Sequence, residues 1–350
     1  MKKSLIALAV LGATSGLAMA ASNVTLYGLI ETGVLAQKAT EAAADDLTFQ
    51  MKSGFDSGSR WGIKGVEDLG NGYAVGFQLE QGFDSDTGTN SSNSTGKTFG
   101  REAALYVQGG FGKLAVGRFG SLASGAGSYH ILSGWAIGTG YGLSAWTTKI
   151  GTSFSRIDNA VAYATPSYDG LSFHAMYSNK TAGDDSAKWS ENNHYYGVGV
   201  KYQAGAVKSS LIFETADNKA ETGLAAENKY VVNYGLEYNL GDWTPMFAYQ
   251  YATQDGGLNT HMVGLSAKVP AAGGDLLVGA RYLTGEKDKD QATEEDVRSW
   301  NIGAAYVYPL SKRTQIKTYA GYADSSKGWK NEGDVVYNGY QVFVGMKHSF

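Results

Sequence analysis

Along most of this 350-residue chain, apolar side chains recur at every second position, and no later apolar run approaches the length a spanning helix needs. Tyr196, Val198, Val200 and Tyr202 alternate with Tyr195, Gly197, Gly199 and Lys201. Tyr230, Val232, Tyr234, Leu236 and Tyr238 alternate with Val231, Asn233, Gly235, Glu237 and Asn239. Val263 to Val269 and Trp300 to Tyr308 repeat the pattern. Period-two alternation over about ten residues is the signature of a half-buried strand, and its recurrence predicts an all-β chain. Aromatics end the apolar faces, and the opposite faces carry Gly, Ser, Asn, Lys and Glu. A soluble β-sandwich would put an apolar core where these polar faces stand. A closed barrel with lipid outside and water inside accounts for the inversion.

Sixteen strands are predicted, an antiparallel transmembrane β-barrel. They start near Asn23, Ser59, Gly72, Thr98, Gly112, Arg156, Gly170, Asn193, Ala206, Asn228, Asp242, Leu258, Gly273, Val297, Lys312 and Asn338. Tight Gly/Asn/Asp turns such as Asp68 to Gly72, Gly109 to Gly112 and Asn239 to Asp242 alternate with long polar loops at Asp84 to Lys97, Asn179 to Asn192 and Gly285 to Asp296. That asymmetry belongs to outer-membrane barrels, and the even count puts both termini on the short-turn, periplasmic side. Gly120 to Ser155 is the longest gap. It holds Tyr129, Ile131, Leu132, Trp135, Ile137, Tyr141, Leu143 and Trp146, so it should pack on something. Folding inward onto the barrel wall as a constriction loop is the favoured reading; two extra short strands and a larger barrel are the alternative.

The first twenty residues are read as a leader. Lys2 and Lys3 form a basic head, Leu5 to Leu11 an apolar run, and Ala18-Met19-Ala20 a small-x-small cleavage site, leaving 21–350 as the barrel in the outer membrane. The chain carries 29 Lys and Arg against 33 Asp and Glu; without Lys2 and Lys3 the balance is 27 against 33, or −6. That argues against a nucleic-acid partner. With no cysteine, neither disulfides nor thiolate metal sites are possible. Five scattered histidines, at 130, 174, 194, 261 and 348, lack ligand spacing, so no metal or cofactor is expected. Ser172 and His174 on one strand do not make a hydrolase triad, and the chain is not read as an enzyme.

Several segments resemble the trimeric general porins of the neisserial and beta-proteobacterial type. They are Asn23 to Gly33, Ser59 to Gly72, Gly100-Arg101-Glu102-Ala103, Gly117-Arg118-Phe119, Asn159 to Pro166 with Gly170, and Gly345 to Phe350. The resemblance covers the whole chain after the leader, in order. It implies a homotrimer of sixteen-strand barrels, each narrowed by its third loop, with Asp84 to Lys97 as the latch to the next subunit. The last strand, with Tyr340, Val342, Val344, Met346, His348 and Phe350 on one face, resembles the signal read by the barrel assembly machinery.

A diffusion channel needs only a water-filled lumen with charge at its narrowest point. Strand parity turns Arg60 and Lys64 away from Trp61 and Ile63, and Arg156 and Asp158 away from Ile157, Val161 and Tyr163, so all four are expected in the lumen. In the family, arginines matching Arg60, Arg101 and Arg156 line the constriction. Arg101 shares parity with Leu105 and Val107 and reaches the lumen only through a bulge or a strand end. Arg118 is a further candidate. The 120–155 loop carries Lys149 and His130 but no Asp or Glu, which predicts passage of small anions in preference to cations despite the acidic chain. Glu31 and Asp158 would weaken that preference. A channel specific for phosphate, an organic acid or a sugar is the alternative function. The stretch Glu286 to Asp296 reads as a solvated loop, with a possible bridge to lipopolysaccharide through divalent cations.

Overall fold

The computed structural model describes residues 23–39, 47–90, 96–137, 154–183, 185, 188–218, 228–287, 294–326 and 338–350. The predicted leader lies outside them. Seventeen strand segments form one antiparallel sheet closed on itself. They are β1 (Asn23–Ala39), β2 (Thr48–Ser53), β3 (Arg60–Gly70), β4 (Tyr73–Gly82), β5 (Glu102–Gly109), β6 (Gly112–Gly120), β7 (Arg156–Ala164), β8 (Leu171–Ser178) and β9 (His194–Ala204). Then follow β10 (Val207–Asp217), β11 (Lys229–Tyr238), β12 (Thr244–Gln254), β13 (Leu258–Ala271), β14 (Gly274–Lys287), β15 (Glu295–Pro309), β16 (Thr314–Ser325) and β17 (Gly339–Ser349). β17 returns to β1 in the register Leu29↔Ser349 to Ala39↔Gly339. Phe350 extends the seam through backbone bonds with Gly28 of 3.0 and 3.1 Å. Closure leaves no strand edge to be solvated, the condition for crossing a bilayer with strands.

Seventeen segments make sixteen strand positions, because β2 and β3 are one strand interrupted. β2 pairs with Thr32 to Gln37 of β1, and β3 pairs with Asn23 to Leu29 of the same strand. The break, Gly54 to Ser59, hid the upper half of this strand from the sequence reading, which began it near Ser59. The fourth position starts at Glu102 rather than near Thr98. Among the described residues, 120–155 holds no strand beyond the end of β6, at Gly120.

Burial inverts as a barrel requires. Leu26, Val24 and Leu265 are over 60% exposed, forming part of an outward apolar surface, whereas Glu31, Glu102 and Glu214 are fully buried. The tight turn Gly70-Asn71-Gly72 runs through three consecutive left-handed residues, with φ of 80°, 54° and 79°. Glycine and asparagine reach that region most cheaply.

β6 and β7 are joined across an irregularity. Gly117 pairs with Ala160, but Phe119 pairs with Ile157, so Asp158 and Asn159 together oppose Arg118. Asn159 takes φ 48° to do so. This is a β-bulge, and it breaks the strand's phase so that Ile157 turns inward.

Candidate functional site

The lumen-facing side chains of β3 to β7 converge on a cluster of charge. Arg60 faces inward as parity predicts, its Nε 3.8 Å from Glu80. Arg101 stands just before β5, where the strand phase no longer binds it. Its backbone N–H donates to the Glu80 carbonyl at 3.2 Å, and its Nε donates to Glu80 Oε1 at 2.7 Å. Arg101 therefore enters the lumen by way of the strand end. The Nε of Arg156 donates to the Arg101 carbonyl at 2.8 Å, and Arg156 makes no ion pair among the described residues. Arg60, Arg101, Arg118 and Arg156 lie close enough for their charges to act on one another.

Parity alone misassigns β7. Val161 and Tyr163 face outward, but the bulge turns Ile157 inward, where it is buried with Phe119. Ile157, not Asp158, is the strand's inward residue here. Asp158 is drawn to the long-loop rim instead, paired with Arg118 and Lys97 and accepting from the Gly183 N–H at 2.8 Å. The predicted set thus divides. Arg60, Arg101 and Arg156 gather on Glu80, while Arg118 and Asp158 sit together with Lys97.

Glu31 belongs to a third group, at the interruption of the second strand. One of its carboxylate oxygens accepts the N–H groups of Asp56 and Ser57 at 2.6 and 3.0 Å. The other meets Lys317 Nζ at 3.0 Å, and Lys317 also pairs with Asp56. Phe55 turns inward beside them and stacks on Phe343 at 4.6 Å between ring centroids. Glu31 is thereby compensated and does not stand free in the pore. Lys64 faces the lumen, exposed, 5.1 Å from the centroid of Tyr27. Lys149 lies outside the described residues, as do Tyr141, Leu143 and Trp146.

Glu80 and Glu102 were missed by the sequence reading. Both signals were present. Glu80 alternates with Phe77 and Leu79, and it pairs directly with Glu102, so both face inward. Lys97 and Lys317 were missed too. The first lies in a loop without periodicity, and the second gains its meaning from Asp56 in the strand break.

The described part of the long loop, 121–137, is bonded across the lumen, to Glu102 on the arginine wall and then along the opposite wall. Ser128 N–H donates to Glu102 at 2.9 Å, Ala123 N–H to Glu214 at 3.1 Å, and Gly134 N–H to Glu237 at 3.2 Å. Ser133 meets Ser210 on β10 at 2.8 Å, and Ala136 N–H donates to Ser266 on β13 at 2.9 Å. Wall glycines make the room. A Cβ on Gly264 would stand 2.9 Å from the Trp135 ring, one on Gly279 2.7 Å from it, and one on Gly199 2.7 Å from Ile131. Arg281 lies over Trp135 at 5.1 Å, and Ile137 is fully buried in the cluster containing Leu277, Ala305 and Tyr319. Within the loop, burial and the nearby Lys208 and Lys201 hold the His130 imidazole below the ordinary histidine range.

Comparison with known proteins gives a consistent result. A family model described as Gram-negative porin matches residues 7–328. The chain is 31% identical to an outer membrane porin protein of Bordetella pertussis, with all of both chains covered. It is 32% identical to outer membrane porin protein 32 of Delftia acidovorans, again over all of both chains. Among solved structures, the anion-selective porin from Comamonas acidovorans superposes with a TM-score of 0.70 at 24% identity, covering 94% of this chain and 100% of that one. At that identity the likeness speaks for the fold.

Proposed function

Since the chain belongs to the Gram-negative porin family, we propose that its pore favours anions and that the arginine cluster on Glu80 sets the preference. The protein is an outer-membrane porin, a passive channel for ions and small hydrophilic solutes. Its relatives are channels rather than enzymes, and we assign this chain no catalytic step.

One observation carries the proposal. Arg60 and Arg101 share Glu80 as their carboxylate, and Arg156, held on the Arg101 carbonyl beside them, makes no ion pair among the described residues. Nearby Glu102 has an oxygen committed to the backbone of the loop, and Asp158 is held by Arg118 and Lys97. Five cations thus face three carboxylates, and the described half of the loop adds no acid. A solute in this zone meets fixed positive charge that water and salt screen least where the pore is narrow. The net negative charge of the chain acts elsewhere, from rims and loops. The loop supports the reading through its bonds to Glu102, Glu214, Ser210 and Glu237, and its place in the lumen as the constriction is part of the proposal.

The test is the zero-current potential of purified protein in a planar bilayer under a KCl gradient. The proposal expects stepwise conductance and a sign showing chloride preference. Cation preference would refute it, and absence of any conductance from folded protein would count against an open pore.

Three associations belong to the same proposal. The chain is exported with cleavage after Ala20, and Phe350 serves the barrel assembly machinery as the end of the closing strand. Three copies assemble, which heat-dependent migration on a gel would reveal. The loop around Glu294, Glu295 and Asp296 faces lipopolysaccharide, and loss of trimer heat stability on divalent-cation removal would support that contact.

A further inference from the structure

The lumen holds a second basic group, on the wall away from the arginines and nearer the short turns. Lys201 on β9 stands one inward step past Gly199, the glycine that Ile131 covers. Lys208 on β10 stands one inward step past Ser210, which bonds the loop at Ser133. His174 on β8 is the direct partner of Gly199 and meets Ser172 at 3.0 Å through Nε2, while Ser172 is the direct partner of Lys201. His130 descends from the loop onto the same place. Both lysines act on its charge, Lys201 acts on that of His174, and the Nδ1 of His130 is buried without a hydrogen-bond partner.

The group is under-compensated. Its carboxylate is Glu237, whose Oε1 lies 3.0 Å from Lys208 and also accepts the Gly134 N–H. Lys201 makes no ion pair among the described residues. Four nitrogen-bearing side chains from three strands and the loop therefore share one patch of the wall, where Glu237, paired with Lys208, is the carboxylate among the described residues. Such a set satisfies a compact ligand that carries more than one negative charge and several acceptor oxygens. A monovalent halide would satisfy it poorly.

We propose that Lys201, Lys208, His174 and His130 form a binding subsite for a small doubly charged oxyanion, on the periplasmic side of the arginine cluster. The subsite deepens the porin reading and rests on it. An oxyanion leaving the arginines would be held briefly here, which converts simple diffusion into a graded, saturable passage for this class of solute.

Sulfate is the probe, because it remains a dianion from acid to neutral pH. Chloride current through single channels is measured while sulfate is added, at constant ionic strength, to one side and then the other. Wild-type current should fall saturably, with the lower half-inhibiting concentration from the short-turn side. Lys201→Gln should raise that concentration roughly five- to ten-fold, the loss of one charge-assisted hydrogen bond. Lys201→Arg should restore it, and His174→Gln should raise it by a smaller factor. Unsaturable current in sulfate, or equal inhibition of wild type and Lys201→Gln, would overturn the subsite while chloride preference stood. Cation preference under a KCl gradient would instead remove the reading beneath it, so the two failures are distinct.

Discussion

The two walls of this lumen share a backbone and differ in almost everything else. Along β3 to β7 the inward positions hold arginine and glutamate, and the strands are short and interrupted by a gap and a bulge. Along β9 to β14 they hold Gly199, Ser210, Gly235, Gly264, Ser266 and Gly279, and the loop is bonded over them. A barrel wall constrains only the outward face, which must be apolar for lipid. The inward face is free to specialise: here one side concentrates the arginines, and the other supplies room for the loop, with Lys201, Lys208, Glu214 and Glu237 set among its glycines and serines.

The sharpest way to break this division is to fill the room. A Cβ at Gly235 would collide with the backbone carbonyl of Ser133, which no side-chain rotation relieves. Gly235→Val should therefore cost about 1–3 kcal/mol of overpacking and expel the loop from that wall. Larger single-channel conductance with chloride preference reduced is the expected record; unchanged conductance from correctly folded protein would mean that the loop is not held there. Trp135→Ala comes next. It removes the ring from Gly264, Gly279 and Arg281, about 2 kcal/mol of docking, and should show as increased open-channel noise with mean conductance little altered. The smallest effect is acid. His130 is held below the ordinary histidine range, so lowering pH protonates the undocked loop first and weakens docking progressively from about pH 6.5 downward. Brief closures should become roughly two-fold more frequent across that window, and His130→Gln should abolish the change.

The division also marks what the sequence made legible. Alternation located nearly every strand start, because a face against lipid tolerates no polar substitution, and the loop declared itself by apolar residues out of strand period. Arg60 and Lys64 followed from parity because β3 keeps an unbroken register with β4 from Arg60 to Asp68. Asp158 did not, because parity assumes an unbroken phase and Asn159 breaks it with one left-handed residue, while Arg156 reaches the cluster from beyond the break. The break at Gly54 to Ser59 left no periodic trace, yet it delivers Asp56 and Phe55 to Lys317 and Phe343. Glu80 was readable by the same parity that placed Arg60, since it alternates with Phe77 and Leu79. Charge balance in a pore demands both signs.

The central claim is that the arginine wall, not the charge of the chain as a whole, sets ion preference. The most direct test compares zero-current potentials, in a gradient near 0.1 M KCl, of wild type, Arg60→Ser/Arg156→Ser, and Glu294→Gln/Glu295→Gln/Asp296→Asn. The first variant should lower the chloride-to-potassium permeability ratio several-fold, since each charge contributes on the order of 1 kcal/mol at close range even in water. The second, on an exposed loop where salt screens charge over a Debye length of about 10 Å, should leave the ratio nearly unchanged. The opposite pattern would place selectivity at the rim and contradict the account.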